Sequence, residues 1–219
     1  MKMVILAAGL GTRLGAVSGG RPKLLVDLGG ETILDRLLSL ASDLRLEPLV
    51  VTRPEHVAWF QEVRAEVLVE ERPVGFLTTL YQTRDAVGDE PFVWVGGDMV
   101  FSEHGVLREI IAGHNPDDFA SYVYCRTDKF KAKVRFEPEL VLKITRQGQW
   151  DLSIPNFGVQ SPRTFSYLAA NPETDFLPAA LAAGETFALR EYPHPVFEID
   201  TPLDLALARS YFERCASIS

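Results

Sequence analysis

Several things are scarce in this chain of 219 residues, and each scarcity removes a class of protein. Only two cysteines occur, Cys125 and Cys215, too far apart for a zinc-ligand spacing. They read as two buried or partly buried thiols of a reducing cytosol. The four histidines, His56, His104, His114 and His194, show no metal spacing and read as surface or loop residues. Basic excess is missing, since 22 Lys and Arg stand against 30 Asp and Glu for a net charge of −8, so a nucleic-acid footprint is not expected. No apolar run approaches the roughly 20 residues that cross a bilayer. The opening run through Val4-Ile5-Leu6-Ala7-Ala8 stops at Gly9, too early for a secretory core. A protein without membrane or nucleic-acid partners, in the cytoplasm, is the expectation. Internal repeats, low-complexity tracts and long linkers are absent as well.

What is present is a well-filled core composition, 47% apolar and 10% aromatic, sufficient for one large domain. Short apolar runs alternate with helix-period segments. Strands are expected at Val4–Ala7, Leu49–Thr52, Glu66–Val69 and Phe92–Val95. Helices are expected over Ile33–Leu40, from about Pro54, and through Leu77–Tyr81. Near-continuous apolar strands between helices imply an α/β, Rossmann-like three-layer sandwich with a mostly parallel central sheet. From about residue 119 the pattern shifts to short strands at Ala120–Tyr124, Lys133–Phe136 and Val141–Ile144, with Glu137-Pro138-Glu139 as a hairpin connection. This reads as an antiparallel β insertion. A strand over Pro195–Ile199 and a helix from Pro202 to about Arg214 close the chain. The whole is expected to be a single domain over 1–219, in three parts: 1–118, 119–195 and a closing strand and helix over 196–219.

The densest chemistry lies in Leu6-Ala7-Ala8-Gly9-Leu10-Gly11-Thr12-Arg13-Leu14, continuing to Arg21-Pro22-Lys23. Glycines directly after a strand let backbone amides approach a phosphate, and Arg13 and Lys23 add cations for its oxygens. A Walker loop is excluded because no Gly-Lys-Ser/Thr follows at the required distance. The dinucleotide fingerprint wants a third glycine where Leu14 stands and a helix at once, whereas Gly15, Gly19, Gly20 and Pro22 imply a long, open loop. Such a loop suits a triphosphate. Asp98 follows Gly96-Gly97 at the carboxyl end of a central strand, where open α/β sheets place ligand-binding groups. Asp200 precedes Thr201-Pro202-Leu203-Asp204; Thr201 suits an N-cap and Asp204 completes it, so Asp200 is not needed for the cap.

The Leu-Ala-Ala-Gly-Leu-Gly-Thr-Arg-Leu stretch with its following Pro-Lys resembles the signature of the nucleotidyltransferase superfamily, which includes sugar-1-phosphate nucleotidylyltransferases and alcohol-phosphate cytidylyltransferases. The resemblance extends through Gly97-Asp98, Asn156-Phe157-Gly158 and Glu198-Ile199-Asp200-Thr201. It implies transfer of a nucleotidyl group from a nucleoside triphosphate to a phosphorylated acceptor, with release of pyrophosphate and with Mg²⁺ as cofactor. It implies further that 1–118 is mainly nucleotide-binding and 119–195 mainly acceptor-binding, that Leu6, Ala7, Ala8, Gly9, Gly11 and Thr12 bind the nucleotide, that Arg13 and Lys23 are catalytic, and that Asp98 and Asp200 hold the metal. Gly75, in Glu71-Arg72-Pro73-Val74-Gly75-Phe76, fits the base-contact loop, yet serves equally as a helix-start glycine. Lys133, in Lys131-Ala132-Lys133-Val134-Arg135, resembles an acceptor-binding lysine, with a solvated edge-strand face as the equal alternative. Asn156 and Gly158 resemble an acceptor-site turn. Two other readings stand beside this one, a non-catalytic nucleotide or nucleotide-sugar binding module and an NAD-linked oxidoreductase. The base, the acceptor and any homo-oligomer are left open.

Overall fold

In the computed structural model the described residues are 1–127, 129–130, 132–137, 140–145, 152–170 and 176–216. Their strands are β1 (Lys2–Leu6), β2 (Glu47–Thr52), β3 (Glu66–Val69), β4 (Phe92–Gly96), β5 (Met99–Phe101), β6 (Ala120–Tyr124), β7 (Ala132–Glu137), β8 (Leu140–Thr145), β9 (Ser153–Ile154), β10 (Phe157–Gln160), β11 (Phe187–Glu191) and β12 (Val196–Glu198). Their helices are α1 (Ile33–Asp43), α2 (Phe76–Gln82), α3 (Arg84–Val87), α4 (Gly105–Ala112), α5 (Thr164–Ala170), α6 (Leu177–Ala182) and α7 (Pro202–Ala216).

The central sheet has seven strands in the order β11-β6-β10-β4-β1-β2-β3. All neighbours run parallel except β10, which is antiparallel to both β4 and β6. Alternation along β1 explains why its run is apolar throughout. Met3 and Ile5 enter one layer with Leu34, Leu37 and Leu40 of α1, while Val4 enters the other with Leu80 of α2 and Leu168 of α5. Both faces of the strand are therefore covered, and each buried aliphatic side chain contributes about 1.5–3 kcal/mol relative to exposure. The expected mostly parallel α/β sandwich is the observed fold.

Two expectations change. The segment after Pro54 is a 3-10 turn over Pro54–Phe60 rather than an α-helix. Only Phe60 of that segment is buried, while Val57 and Trp59 are exposed, so no apolar stripe holds a longer helix against the sheet. Ala120–Tyr124, expected within an antiparallel insertion, is instead a strand of the central sheet, parallel to β11 and antiparallel only to β10. All five of its residues are buried, as a strand covered on both faces must be. The antiparallel insertion itself is the three-stranded sheet β8-β7-β9. Lys131 and the Pro138-Glu139 connection lie outside the described residues. A small pair, β12 against β5, ties the closing part of the chain to the segment after β4. Cys125 is buried, and burial pushes its thiol up to about 12, while Cys215 is exposed.

Gly158 lies inside β10, opposite Trp94 on one side and Tyr122 on the other. A Cβ there would collide with the Tyr122 ring and meet the Ser121 carbonyl at 3.1 Å. Tyr122 is fully buried and its hydroxyl accepts from the Gln160 amide, so the ring has little room to withdraw. Gly158→Ala is expected to destabilise the fold by about 1–3 kcal/mol through overpacking, outweighing the smaller gain from a stiffer unfolded chain. Urea denaturation measures it, and an unchanged midpoint would mean that the ring shifts freely.

Candidate active site

The chain leaves β1 for β2 on one side, while β4 flanks β1 on the other. That reversal opens a crevice at the carboxyl ends of β1 and β4, the place where such sheets bind ligands. Two glycines let three segments meet there. Gly97 donates to the Leu6 carbonyl at 3.0 Å, and a Cβ on it would stand 2.7 Å from that oxygen. Gly96 donates to the Asn156 carbonyl at 2.9 Å, and its Cβ would stand 2.7 Å from Asp98 Oδ1. The Ile199 amide donates to the Asp98 carbonyl at 2.8 Å, which brings Asp200 alongside. The loop from β1 turns through Gly11, whose φ of +64° favours glycine. A Cβ at Gly11 would lie 3.2 Å from the Lys23 Cβ.

Four side chains converge in this crevice. Lys23 Nζ lies 3.0 Å from Asp98 Oδ2 and 2.6 Å from Asp200 Oδ1, and Arg13 Nη1 lies 2.8 Å from Asp200 Oδ2. Lys23 and Asp200 are mostly buried, with side chains 14% and 16% exposed, whereas Arg13 is 64% exposed. Asp204 takes no part. Its Oδ2 accepts from the Thr201 amide at 2.9 Å and hydroxyl at 2.7 Å, while Thr201 Oγ1 accepts from the Asp204 amide at 3.2 Å. This reciprocal cap starts α7 and leaves the Asp200 carboxylate to the cations. Burial draws the Asp204 carboxyl upward, but the Thr201 bonds, the Lys129 charge and the Asp200 amide together hold the group below its ordinary value.

A cleft of about 360 Å³ runs from this cluster toward the ends of β2 and β3, and an adjoining hollow of about 260 Å³ lies under the glycine loop. Leu6, Ala8, Gly9, Arg13, Gly75, Asp98, Asn156 and Asp200 line the cleft. Ala7, Gly11, Thr12 and Lys23 line the hollow. Gly75 also caps α2, its carbonyl accepting from the Thr79 amide and both Thr78 and Thr79 hydroxyls, so helix start and cleft wall coincide in one residue. Gly158 and Lys133 line neither space. Gly158 is a strand residue rather than part of a turn, and Lys133 is 7% exposed on β7, the middle strand of its sheet, so the edge-strand alternative does not apply.

Three residues that the sequence did not single out belong here. Arg53, at the end of β2, lines the cleft; Glu55 holds its Nε at 2.9 Å and its Nη2 at 3.4 Å, and its Nη1 points to the Ala8 carbonyl at 3.5 Å. Glu198 lines the cleft beside Asp200. Glu70 ends β3 behind the cleft residue Thr79; it is 5% exposed, and its Oε2 has no partner among the described residues. Position after β2 and β3, at the carboxyl edge of the sheet, is the one sequence signal for Arg53 and Glu70.

A divalent cation fits this donor set. Asp98 Oδ1 is a buried oxygen without a partner among the described residues, and the two carboxylates already share one cation. No group of three or more His, Cys, Asp or Glu that could hold a metal occurs among the described residues, so the remaining ligands would be phosphate oxygens and water, as Mg²⁺ accepts readily.

The model of the MobA-like NTP transferase domain matches residues 3–213. The chain belongs to that family. Membership makes it a nucleotidyltransferase in kind. Among solved structures of the same fold are one described as a glucose-1-phosphate thymidylyltransferase from Bacillus anthracis (TM-score 0.82, 19% identity, covering 96% of this chain and 94% of that one). Another is the inositol-1-phosphate CTP transferase from T. maritima (TM-score 0.79, 19% identity, 95% and 94%). A third is a UDP-glucose pyrophosphorylase from Acinetobacter baumannii (TM-score 0.81, 17% identity, 96% and 92%). A curated relative, the bifunctional protein GlmU of Methanococcus maripaludis, is 24% identical over 119 residues, a match that takes in 52% of this chain and 28% of that protein. No helix among the described residues is long and apolar enough to cross a membrane.

Burial raises the Glu70 carboxyl above its ordinary value of 4.5, with the Thr79 hydroxyl opposing in part. The folded chain therefore holds that proton more tightly than the unfolded chain, so the group is a stabilising one at low pH and loses that contribution as pH rises through its folded-state value. Glu70→Gln is expected to stabilise the protein by about 1 kcal/mol at pH 7, the low end of an unsatisfied buried polar group. The gain should vanish below pH 4.5. Denaturation at pH 7 and pH 4 tests this, and an equal gain at both would show that the charge is not its source.

Proposed function

We propose that this family member transfers a nucleotidyl group from a nucleoside triphosphate to a phosphorylated small molecule, a sugar-1-phosphate or small alcohol phosphate, releasing pyrophosphate. The observation that carries the reading is the meeting of Lys23, Arg13, Asp98 and Asp200 under a glycine-rich loop at the sheet's switch point. An acceptor phosphate oxygen attacks the α-phosphorus in line; the new P–O bond forms as the bond to the β-phosphate oxygen breaks, and pyrophosphate leaves with that electron pair. The acceptor phosphate is ionised near neutral pH, so no general base is required. Lys23 steadies the α-phosphate oxygens and Arg13 the departing pyrophosphate, its fork suiting two phosphate oxygens at once. Backbone amides of the loop from Gly9 to Thr12 orient the triphosphate. Asp98 and Asp200 would hold Mg²⁺, which when bound would supply charge neutralisation at the reacting phosphates. Rate then comes from positioning and electrostatics, as in other phosphoryl transfers.

The nucleoside end of the cleft is the one bounded by Arg53, Gly75 and Thr79. Residues 119–195 serve the acceptor: Asn156, which lines the cleft, offers its amide to acceptor hydroxyls, and Gly158 makes room for the Tyr122 ring, while Lys133, which lines neither cleft nor hollow, is given to the acceptor phosphate on resemblance alone. The reactions that name the three neighbouring structures support a sugar or cyclitol phosphate as acceptor.

Pyrophosphate release from the four common triphosphates against a panel of sugar-1-phosphates and alcohol phosphates, with and without Mg²⁺, tests the reading. Asp98→Asn and Asp200→Asn should each lower turnover by at least ~10²-fold with the fold intact. Lys23→Met should lower kcat more than it raises KM, and Arg13→Lys should be damaging because a point charge does not replace the fork. Triphosphate binding without pyrophosphate release on any acceptor would leave a binding module in place of an enzyme.

A further inference from the structure

The cations assigned to the phosphates are held, in this structure, by the carboxylates assigned to the metal. Lys23 Nζ bridges Asp98 Oδ2 at 3.0 Å and Asp200 Oδ1 at 2.6 Å, and Arg13 Nη1 takes Asp200 Oδ2 at 2.8 Å. Three of the four carboxylate oxygens are capped, and the fourth, Asp98 Oδ1, is buried without a partner among the described residues. With two carboxylates and two cations the cluster is neutral.

We propose that this cluster is a charge-exchange lock, in which Lys23 occupies the place of the divalent cation and leaves it only when a polyphosphate arrives together with that cation. The proposal rests on Asp98 and Asp200 being the metal ligands. A divalent cation arriving alone must drive the Lys23 ammonium off both carboxylates. The side chain is only 14% exposed, so the displaced ammonium stays partly buried and unpaired. A polyphosphate arriving alone must draw Lys23 and Arg13 away. It then leaves two carboxylates, near enough to share one ammonium, facing each other with no cation between them. Removing one partner of a buried ion pair is far more costly than exchanging both. When the two ligands enter together every charge changes partner and none is stranded. Arg13, at 64% exposure, can move at little cost, so Lys23 carries most of the coupling. The lock admits the metal–polyphosphate complex and discriminates against either half, and by linkage each half strengthens the other by the same factor.

The test needs neither a known base nor a known acceptor. Mn²⁺ binding is followed by the electron paramagnetic resonance of the free ion, and inorganic pyrophosphate binding by calorimetry, with the solution complex of the two subtracted. In the wild type each should bind weakly alone and about tenfold or more tighter with the other present. Lys23→Met should bind Mn²⁺ alone at least about tenfold tighter than the wild type, although a general positive field would predict some gain for any lost cation. Arg53→Met separates the two, because it removes a cation from the same cleft but not from these carboxylates, and should change Mn²⁺ binding by less than about threefold. Asp200→Asn, which loosens both cations, should bind pyrophosphate in EDTA about tenfold tighter than the wild type. Thermal melts of each variant confirm folding. Equal Mn²⁺ affinities for wild type and Lys23→Met, or equal gains in Lys23→Met and Arg53→Met, would overturn the lock. Independent binding of Mn²⁺ and pyrophosphate in the wild type would overturn the lock and leave the site reading standing. Failure of both to bind in any combination would overturn the site reading and the lock with it.

Discussion

Two carboxylates stay ionised together in a partly buried crevice only when a cation stands between them, and several segments of this molecule converge to meet that condition for Asp98 and Asp200. Lys23 meets it directly, with both carboxylates within 3.0 Å of its ammonium. For Lys23 to reach, the long loop after β1 must double back, which the left-handed turn at Gly11 permits. For Asp98 to reach, the end of β4 must press against β1, and Gly97 permits that by presenting no Cβ to the Leu6 carbonyl. For Asp200 to reach, the tail strand must hang from the Asp98 carbonyl through Ile199, itself fully buried. Each condition comes from a different part of the chain, and the ion pairs form only when all are met.

The adjoining acidic residues of the tail show how one helix start separates a capping carboxylate from one left to the cations. Asp204 accepts from the Thr201 hydroxyl and amide and receives the weaker 3.3 Å bond of the Asp200 amide. Asp200 itself is thus anchored by its backbone while its side chain points to Lys23 and Arg13. Thr32 and Asp35 build the same reciprocal cap on α1, where the carboxylate just before the threonine, Glu31, is exposed, pairs with Arg36 at 3.1 Å and lines neither the cleft nor the hollow. The cap is generic; where the fold places the residue just before it decides whether that carboxylate meets the crevice or the surface.

These features differ in how far they could be read from the sequence, and the difference is one of range. Gly9, Gly11, Arg13 and Lys23 lie within one loop, and the glycine positions there follow from local backbone needs. The capping pair Thr201 and Asp204 is local too, and its recognition left Asp200 over. Strand β10 is different. Its antiparallel entry between β4 and β6 depends on partners some 35 to 65 positions away along the chain, as the pairing of Phe157 with Val95 and of Gly158 with Tyr122 shows, and nothing within four residues announces it. Ala120–Tyr124 was legible as a strand and not as a central one, because its place is set by β10 and β11. Glu70 was legible only as a polar residue at a strand end; its burial comes from α2 folding over it, with Thr79 4% exposed above.

A chain of net charge −8 that takes a polyanion must do so through a local arrangement and against its average field. Arg13, Lys23 and Arg53 all face the crevice and its cleft, but each is already matched: Arg13 and Lys23 by the two aspartates, Arg53 by Glu55. The resting crevice therefore presents little net charge, and under the proposed exchange its cations become available to phosphate only as their partners are taken over. Arg53 differs from the other two in that its partner, Glu55, lies outside the cleft and keeps hold of it through Nε, so its remaining Nη1 donor stays fixed near Ala8 whatever happens to the aspartates. One end of the cleft is thus rigid and the other exchangeable. A rigid donor suits recognition of a neutral group, and an exchangeable pair suits a charge that arrives with its own counter-ion, which is the division a nucleoside and its metal-bound phosphates require.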